Sequence, residues 1–361
     1  MIGGGAPEWD RFARWPQGAA RAALAALALL MALAAWTTVE APAASTGATI
    51  APTVTASAER DTDLQLYDRI AARVAQGQDY HRAAIEEQRA AGFPVRPGLA
   101  VRLPTMAYLT ALMGAELLAV LLLLGALTAA AWYVRMDDEP GGPPRKVIAT
   151  ALLLLGAAAA LNPAYANLHE VWAGLLVALA IGLHRRGAWH WSWLAAAAAL
   201  AIRELALPFV LLMGALALWR RDWREAAGWA LLAGLFGAFL AWHLAQVNAL
   251  LLPTDRESPS WLALRGLRGL TQNIGETSAL QFLPGWLAAP LAVLPLVGWA
   301  GWKSPLGLLA GLLCAGYGLF FMIAGRDNNF YWALLVAPVW FAGLAFLPMA
   351  LRSLWRSARA A

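Results

Sequence analysis

The chain holds one cysteine, Cys314, and it lies inside an apolar run. A single thiol excludes an intrachain disulfide, a thiolate zinc site and a Cys-x-x-Cys redox pair. Histidine is also scarce. His81, His169, His184, His190 and His243 show no ligand spacing, and no His-Glu-x-x-His stretch occurs, which argues against a histidine metal centre. Beyond Asp61 and Asp63 no acidic group has hard-cation spacing, so neither a metal nor a cofactor is expected. A phosphate-cradling glycine loop and a Gly-x-Ser-x-Gly elbow are missing too, and the glycines of MIGGGA precede no helix–strand unit. Charged residues make up only 14% of the chain. The net charge of +5 invites a nucleic-acid partner. That reading fails because the basic residues sit in small clusters at the ends of apolar runs, as membrane orientation signals do.

Apolar residues fill the space that charge leaves. They form 60% of the 361 residues, against about 45–50% in soluble domains. Long apolar runs follow one another without the short alternating pattern of a barrel, so the expected fold is an all-α, polytopic membrane helical bundle. The runs are Gly18 to Trp36, Thr105 to Tyr133, Val147 to Leu161, Val171 to Leu183, Trp191 to Ile202, Leu205 to Trp219, Ala226 to Val247, Leu283 to Trp302, Leu306 to Ala324 and Tyr331 to Leu351. They give about ten transmembrane helices in a single integral-membrane domain over 1–361, with the first span at 18–36, an outer loop at 37–104 and the other spans within 105–351. Several runs are short for a bilayer and require tilt or burial within the bundle. The first run also has an Ala-x-Ala pattern after it, at Ala41, and it reads either as a cleaved signal peptide or, as preferred here, a retained anchor. Many of the 19 tryptophans fall at run ends, where an interfacial belt places them.

Alternate loops carry Arg11, Arg14 and Arg21; Arg135, Arg145 and Lys146; Arg185 and Arg186; Arg220, Arg221 and Arg224; Lys303; and Arg352, Arg356 and Arg359. Both termini are therefore expected in the cytoplasm, and the long polar block Arg60–Pro104 outside. In that block Asp61 can cap a helix with the stripe Leu64, Tyr67, Ile70 and Val74, ended by Gly77. Asp79 can cap a second helix from Tyr80 to Ala91. Both are amphipathic and suit a membrane surface. Thr37 to Ser57 reads as extended. Thr105 to Tyr133 is too long for a simple span, which puts Glu116 near the outer interface.

Ionisable residues at span ends that insertion does not require are functional candidates. In AIRELALPF, Arg203 and Glu204 stand between two closely apposed runs. They form either a packing ion pair or a phosphate contact, because guanidinium donates two parallel hydrogen bonds and stays charged. Arg326 in GRDNNFYW, with Tyr331 after it, and Arg102 in VRLP have the same two readings, the bland one being a loop charge or a snorkelling side chain. His169 and Glu170 either favour a helix first turn or line a site. Asp61 and Asp63 either serve a helix N-terminus, or one of them is a general base at the membrane surface.

These stretches carry a resemblance. DTDLQLYDRI, GQDY, RLPTMAYLTALMG, HEVWAGLLVALAIGL, AIRELALPFVLL and GRDNNFYWALLVAP are similar to the GT-C superfamily of integral-membrane glycosyltransferases, the group of the protein O-mannosyltransferases and the lipid A aminoarabinose transferase. The resemblance implies a polyprenyl-phosphate-linked sugar donor, a lipid, glycan or protein acceptor, and an inverting reaction on the periplasmic face of a bacterial inner membrane. It implies an outer-loop acid as base, with Asp63 the better match and Asp61 the second. It further implies that Arg203, Arg326 and their neighbours Glu204, Arg102, His169, Glu170, Tyr67 and Tyr331 bind substrate and its phosphate. The chain departs from larger members in having no soluble domain after the last span and no clear Asp-Glu pair. Other classes remain: a transporter or lipid flippase, which needs ionisable residues at the bilayer midplane; a non-catalytic assembly protein; and an O-antigen-ligase-like transferase without an early outer-loop acid.

Overall fold

The computed structural model describes residues 8–39, 54–140 and 142–360. Among them every regular element is helical, and strand pairing is limited to isolated bridges. The α-helices are α1 (Gln17–Val39), α2 (Val54–Ala75), α3 (Tyr80–Ala90), α4 (Thr105–Met113), α5 (Leu117–Arg135), α6 (Gly142–Gly156), α7 (His169–Leu183) and α8 (His190–Ile202). They continue with α9 (Leu207–Trp219), α10 (Trp223–Leu250), α11 (Gly266–Glu276), α12 (Gly285–Gly301), α13 (Pro305–Ile323), α14 (Ala337–Ala342) and α15 (Leu347–Arg359). Four described segments are long and apolar enough to cross a membrane: Gln17–Thr38, Gly98–Asp138, Trp223–Leu250 and Pro305–Ile323. The bent pair Ala337–Ala345 and Leu347–Arg359 makes a fifth if counted as one span. Helices α7, α8, α9 and α12 are apolar but shorter.

Leu29, Leu123, Leu231 and Leu319, on these four long segments, are each more than half exposed. Water does not favour such surfaces, and lipid does. Trp36, Trp191, Trp219, Trp223 and Trp286 are exposed near helix ends, the positions of an interfacial belt. The protein is thus a helical membrane protein.

The chain forms two compact units, each discontinuous in sequence: 1–47, 129–158 and 262–361, and 48–128 and 159–261. In the first, α1 packs on α12 and α15, and α14 packs on α6. Close approach rests on glycine. A Cβ on Gly298 would lie 1.8 Å from the Gly343 carbonyl oxygen, and one on Gly156 would lie 2.3 Å from that of Ala337. Small residues let membrane helices meet backbone to backbone.

In the second unit α2 lies along α3 and α4, α7 along α8, and α9 along α10. Leu66, Ile70, Val74, Tyr80, Ala84, Ile85, Val95 and Val101 of the polar block 60–104 form one buried apolar cluster with Val247 of α10. Helix α3 starts as its sequence requires, with Asp79 Oδ1 accepting from the Arg82 amide at 2.9 Å. Gly77, at φ +83°, turns the chain after α2.

Several local expectations change. Helix α2 begins at Val54, so Asp61 lies about two turns inside it and caps nothing; its side chain lies outside the described residues. Val54 to Ser57 and Thr37 to Val39 are helical rather than extended. Residues 40–53, with the Ala-x-Ala pattern, and MIGGGA lie outside the description or at its edge. The run Thr105 to Tyr133 breaks at Gly114, whose φ of +53° no α-helix accommodates. The run Tyr331 to Leu351 divides into a 3-10 segment (Asp327–Leu335), α14, a 3-10 turn (Gly343–Ala345) and α15, with a 50° bend. Pro338 and Pro348 each open a new helix because they cannot donate to the preceding turn. Helix α11, inside what reads as a long loop, carries no apolar run and escapes a hydropathy search.

The polar block 60–104 is tied to the segment after α10 by one paired contact. Arg89 donates from Nε to Asp255 Oδ1 at 2.7 Å and from Nη2 to Oδ2 at 2.8 Å. Oδ2 also accepts from the Leu252 amide at 2.7 Å. The Arg89 guanidinium holds the Asp255 carboxyl at about 2, below its ordinary value. A carboxyl whose pKa falls on folding stabilises at neutral pH, and that contribution is lost as pH drops from about 4 towards 2. Acid should therefore loosen the tie. Asp255→Asn should leave it loose at every pH, at a cost near neutral pH of about 1.5–3 kcal/mol for charge-assisted bonds. Limited proteolysis of the segment after α10 measures this, with faster cleavage expected in the variant at pH 7 and equal rates in both proteins near pH 2.

Candidate functional site

Helix α8 ends at Ile202, and the chain passes through one extended residue, Arg203, at φ −146° and ψ 116°. A three-residue 3-10 turn, Glu204–Ala206, follows, and then α9 with Pro208 in its first turn. Proline suits that position because its missing amide proton has no helical partner there. The arrangement leaves almost no loop, so the Arg203 side chain turns inward and is only 1% exposed. Burying a guanidinium requires carboxylates. Arg203 Nε donates to Glu170 Oε1 at 2.7 Å, and its Nη1 donates to Glu204 Oε1.

Glu170 comes from the first turn of α7, where a carboxylate also meets the positive end of the helix. It is 1% exposed, like its partner. The segment before α7 is fixed by Trp172, whose indole donates to the Ala166 carbonyl at 2.7 Å. Asn167 then reaches α2, donating from Nδ2 to Asp68 Oδ1 at 2.7 Å and to the Leu64 carbonyl at 3.3 Å. His169 is buried with its ring edge-on to Tyr67, centroids 4.9 Å apart, and its Nδ1 meets no hydrogen-bond partner among the described residues.

Tyr67 joins this group to the rest of the polar block. Its hydroxyl accepts from Arg102 Nε at 3.3 Å. Tyr80, the first residue of α3, donates to the Arg102 carbonyl at 2.5 Å. Asp63 lies on α2 one helical turn before Tyr67 and is half-buried; residues four apart share a helix face. Arg102 is half-buried as well, so it is the more accessible of the two guanidiniums.

The charges set the protonation states. Burial pushes His169 well below its ordinary value, and the positive charges of Arg102 and Arg203 push the same way, so the imidazole is neutral at pH 7. Burial alone would raise Glu204, but the fields of Arg203 and Arg102 outweigh it and hold this group below the usual carboxylate value. The result is two arginines and two glutamates in balance beside a neutral histidine. Such a group can orient a polar substrate. Arg203, engaged through Nε and Nη1, is suited to hold Glu170 and Glu204 in place, and Arg102 is suited to meet an anion.

The second unit thus brings together Tyr67, Arg102, His169, Glu170, Arg203 and Glu204, with Asp63 one turn away. Arg326 and Tyr331 belong to the first unit. There the Arg326 amide donates to Asn329 Oδ1 at 3.0 Å, and Asn329 Nδ2 donates to the Tyr331 hydroxyl at 3.4 Å. Two features have no sequence signal. Asp68 joins Asn167 across 99 positions. His81 Nε2 and His243 Nδ1 meet at 3.1 Å, and His243 Nε2 lies 3.2 Å from the Val101 carbonyl. That carbonyl can only accept, so His243 carries its proton on Nε2 and accepts from His81 on Nδ1. The pair anchors α3 to α10. Among the described residues no three His, Cys, Asp or Glu side chains are grouped to hold a metal. Compared with family models, curated proteins and solved structures, the chain matches none.

Removing Arg203 leaves Glu170 charged and buried, and breaking a buried pair from one side costs about 3–5 kcal/mol. Arg203→Ala should accordingly lower the thermal midpoint of the detergent-purified protein sharply. The double variant Arg203→Met with Glu170→Leu should recover most of the loss, since Glu204 keeps some access to water. Equal midpoints for wild type and Arg203→Ala would mean that the pair does not hold the turn.

Proposed function

We propose that this chain is a GT-C-like membrane glycosyltransferase that moves a sugar from a polyprenyl-phosphate donor to an acceptor hydroxyl. The observation that carries the reading is the link through Tyr67. The early acid Asp63 and the buried Arg203 of AIREL belong to one compact unit, and Tyr67 touches Arg102 and His169 between them. In this reading Asp63 takes the proton of the acceptor hydroxyl. The acceptor oxygen forms a bond to the anomeric carbon while the bond from that carbon to the phosphate oxygen breaks. Its electron pair leaves with the lipid phosphate, and the sugar inverts. Arg102 offsets the charge that grows on the leaving phosphate, which is the large electrostatic contribution expected of such a site. Arg203 acts through Glu170 and Glu204 as a positioning residue. A donor anchored in lipid accounts for why such an enzyme is built of membrane helices, about ten of them by the apolar runs, in a bacterial inner membrane. The outer block then lies on the periplasmic face and both termini in the cytoplasm, as the arginine clusters favour.

Purified protein supplied with a polyprenyl-phosphate sugar should transfer or slowly hydrolyse it. Asp63→Asn should reduce the rate by about 100-fold or more, the usual contribution of a general base, with an unchanged thermal midpoint. Full activity in both Asp63→Asn and Asp61→Asn would overturn the assignment of the base. Topology is tested separately. Cys314 is fully buried, so a cysteine introduced at exposed Gln76 should react with a membrane-impermeant maleimide in intact cells. One at exposed Arg356 should react only after permeabilisation, and the reverse pattern would invert the proposed orientation.

A further inference from the structure

Helix α15 has two unlike faces. Ala350, Ser353, Leu354, Ser357 and Ala358 are buried. Arg352, Trp355, Arg356 and Arg359 are exposed, and their spacing of three and four residues puts them on one face. Trp355 is 52% exposed, and the Arg359 guanidinium lies 4.2 Å from the centre of its ring.

The contacts of the buried face show where α15 lies. A Cβ on Gly298 would lie 3.1 Å from the Leu347 amide nitrogen, and one on Gly301 would lie 2.6 Å from Ala350 Cβ. Both glycines are in the last turn of α12. Ser353 Oγ donates to Asp10 Oδ2, and Ser357 Oγ donates to the Phe12 carbonyl at 2.9 Å. Both of those partners precede α1. The Ala358 carbonyl accepts from Arg21 Nε at 3.0 Å, and Arg21 is in the second turn of α1. The Arg11 amide, 3.0 Å from the Gly301 carbonyl, joins the start of the one helix to the end of the other. From Leu347 to Ala358 the chain rises roughly 16 Å, yet the contacts at both ends of α15 fall on this one junction. Helix α1 is long and apolar enough to cross a membrane, so contacts at its start lay α15 along one membrane face.

The acids of this unit leave the exposed face positive. None occurs in 11–39 or 328–361. Asp10 meets α15 on its buried side, and Asp137, Asp138 and Glu139 pair with Lys146 and Arg135. Orientation in the membrane needs arginines only on the correct side. It does not require them on one helical face around an exposed tryptophan. Anionic headgroups attract such a face, and an indole ring settles at their level. A soluble polyanion would answer the charges but leave Trp355 in water. We propose that the Arg352, Trp355, Arg356 and Arg359 face of α15 is a docking surface for anionic phospholipid. The arginines meet headgroup phosphates, and Trp355 lies among the headgroups. The inference depends on neither the sugar-transfer reading nor the proposed orientation.

The test uses the full chain in an uncharged detergent. Phosphatidylglycerol or phosphatidylcholine is added to the micelles at rising mole fraction. The thermal midpoint is followed, since a ligand of the folded state raises it. Phosphatidylglycerol should raise it in a saturable way, less so at high salt, and phosphatidylcholine should not. The triple variant Arg352→Gln, Arg356→Gln and Arg359→Gln should bind about 100-fold more weakly, at roughly 5-fold per arginine. Should it not fold, Arg356→Gln takes its place with a loss of about 5-fold. A second triple variant, Arg186→Gln, Arg224→Gln and Lys303→Gln, removes the same charge from other exposed positions and should bind as wild type does. Trp355→Ala should weaken binding at low and high salt alike. An equal rise with phosphatidylcholine, no rise with phosphatidylglycerol, or an equal loss in the second triple variant overturns the proposal. So does unchanged binding by the α15 variants, or an equal rise with inorganic phosphate or a DNA duplex in place of lipid.

Discussion

A guanidinium that is 1% exposed between two apolar helices is the constraint on which the second unit depends. The Arg203 charge has no access to bulk water, so carboxylates must come to it. One comes from the next residue, Glu204, and the other from Glu170, 33 positions earlier. That second partner fixes the first turn of α7 beside the turn joining α8 and α9. His169 is then buried as the neighbour of Glu170, and Asn167 is placed to reach α2. The polar block 60–104 inherits its position from these contacts, through Tyr67 against His169 and Asn167 against Asp68. An apolar residue at 203 would remove the requirement and, with it, the reason for these segments to meet.

The first unit handles polar groups differently. Arg203 is paired with both of its glutamates, whereas the junction of α11 with the Asp327–Leu335 segment leaves donors without acceptors among the described residues. A matched cluster holds a fold, and an unmatched one costs stability. Backbone contact also plays a larger part there. Gly298, Gly343 and Gly156 let helices touch at the main chain, a device available only to residues without a side chain.

Much of the local structure could be read directly from the residues. Asp79 caps α3, Gly77 closes α2, and most apolar runs became helices within a few residues of their drawn ends. The errors have specific causes. The polar start of α2 has no apolar stripe to mark it, so Asp61 reads as a cap in the sequence alone. Gly114 broke a long run because one positive φ outweighs the helix propensity around it. Pro338 and Pro348 divided the final run because each lacks an amide proton.

By itself the sequence determined the all-helical class, the apolar segments, the helix caps and the arginine clusters at run ends. Each depends on residues within a turn or two of one another, where propensity and periodicity act. Only the tertiary structure decided that Glu170 meets Arg203, that Tyr67 lies between Arg102 and His169, that His81 bonds His243, and that Asn273 is left with a free donor. Those pairings arise from buried groups seeking partners wherever packing offers them, and separation along the chain carries no record of that search.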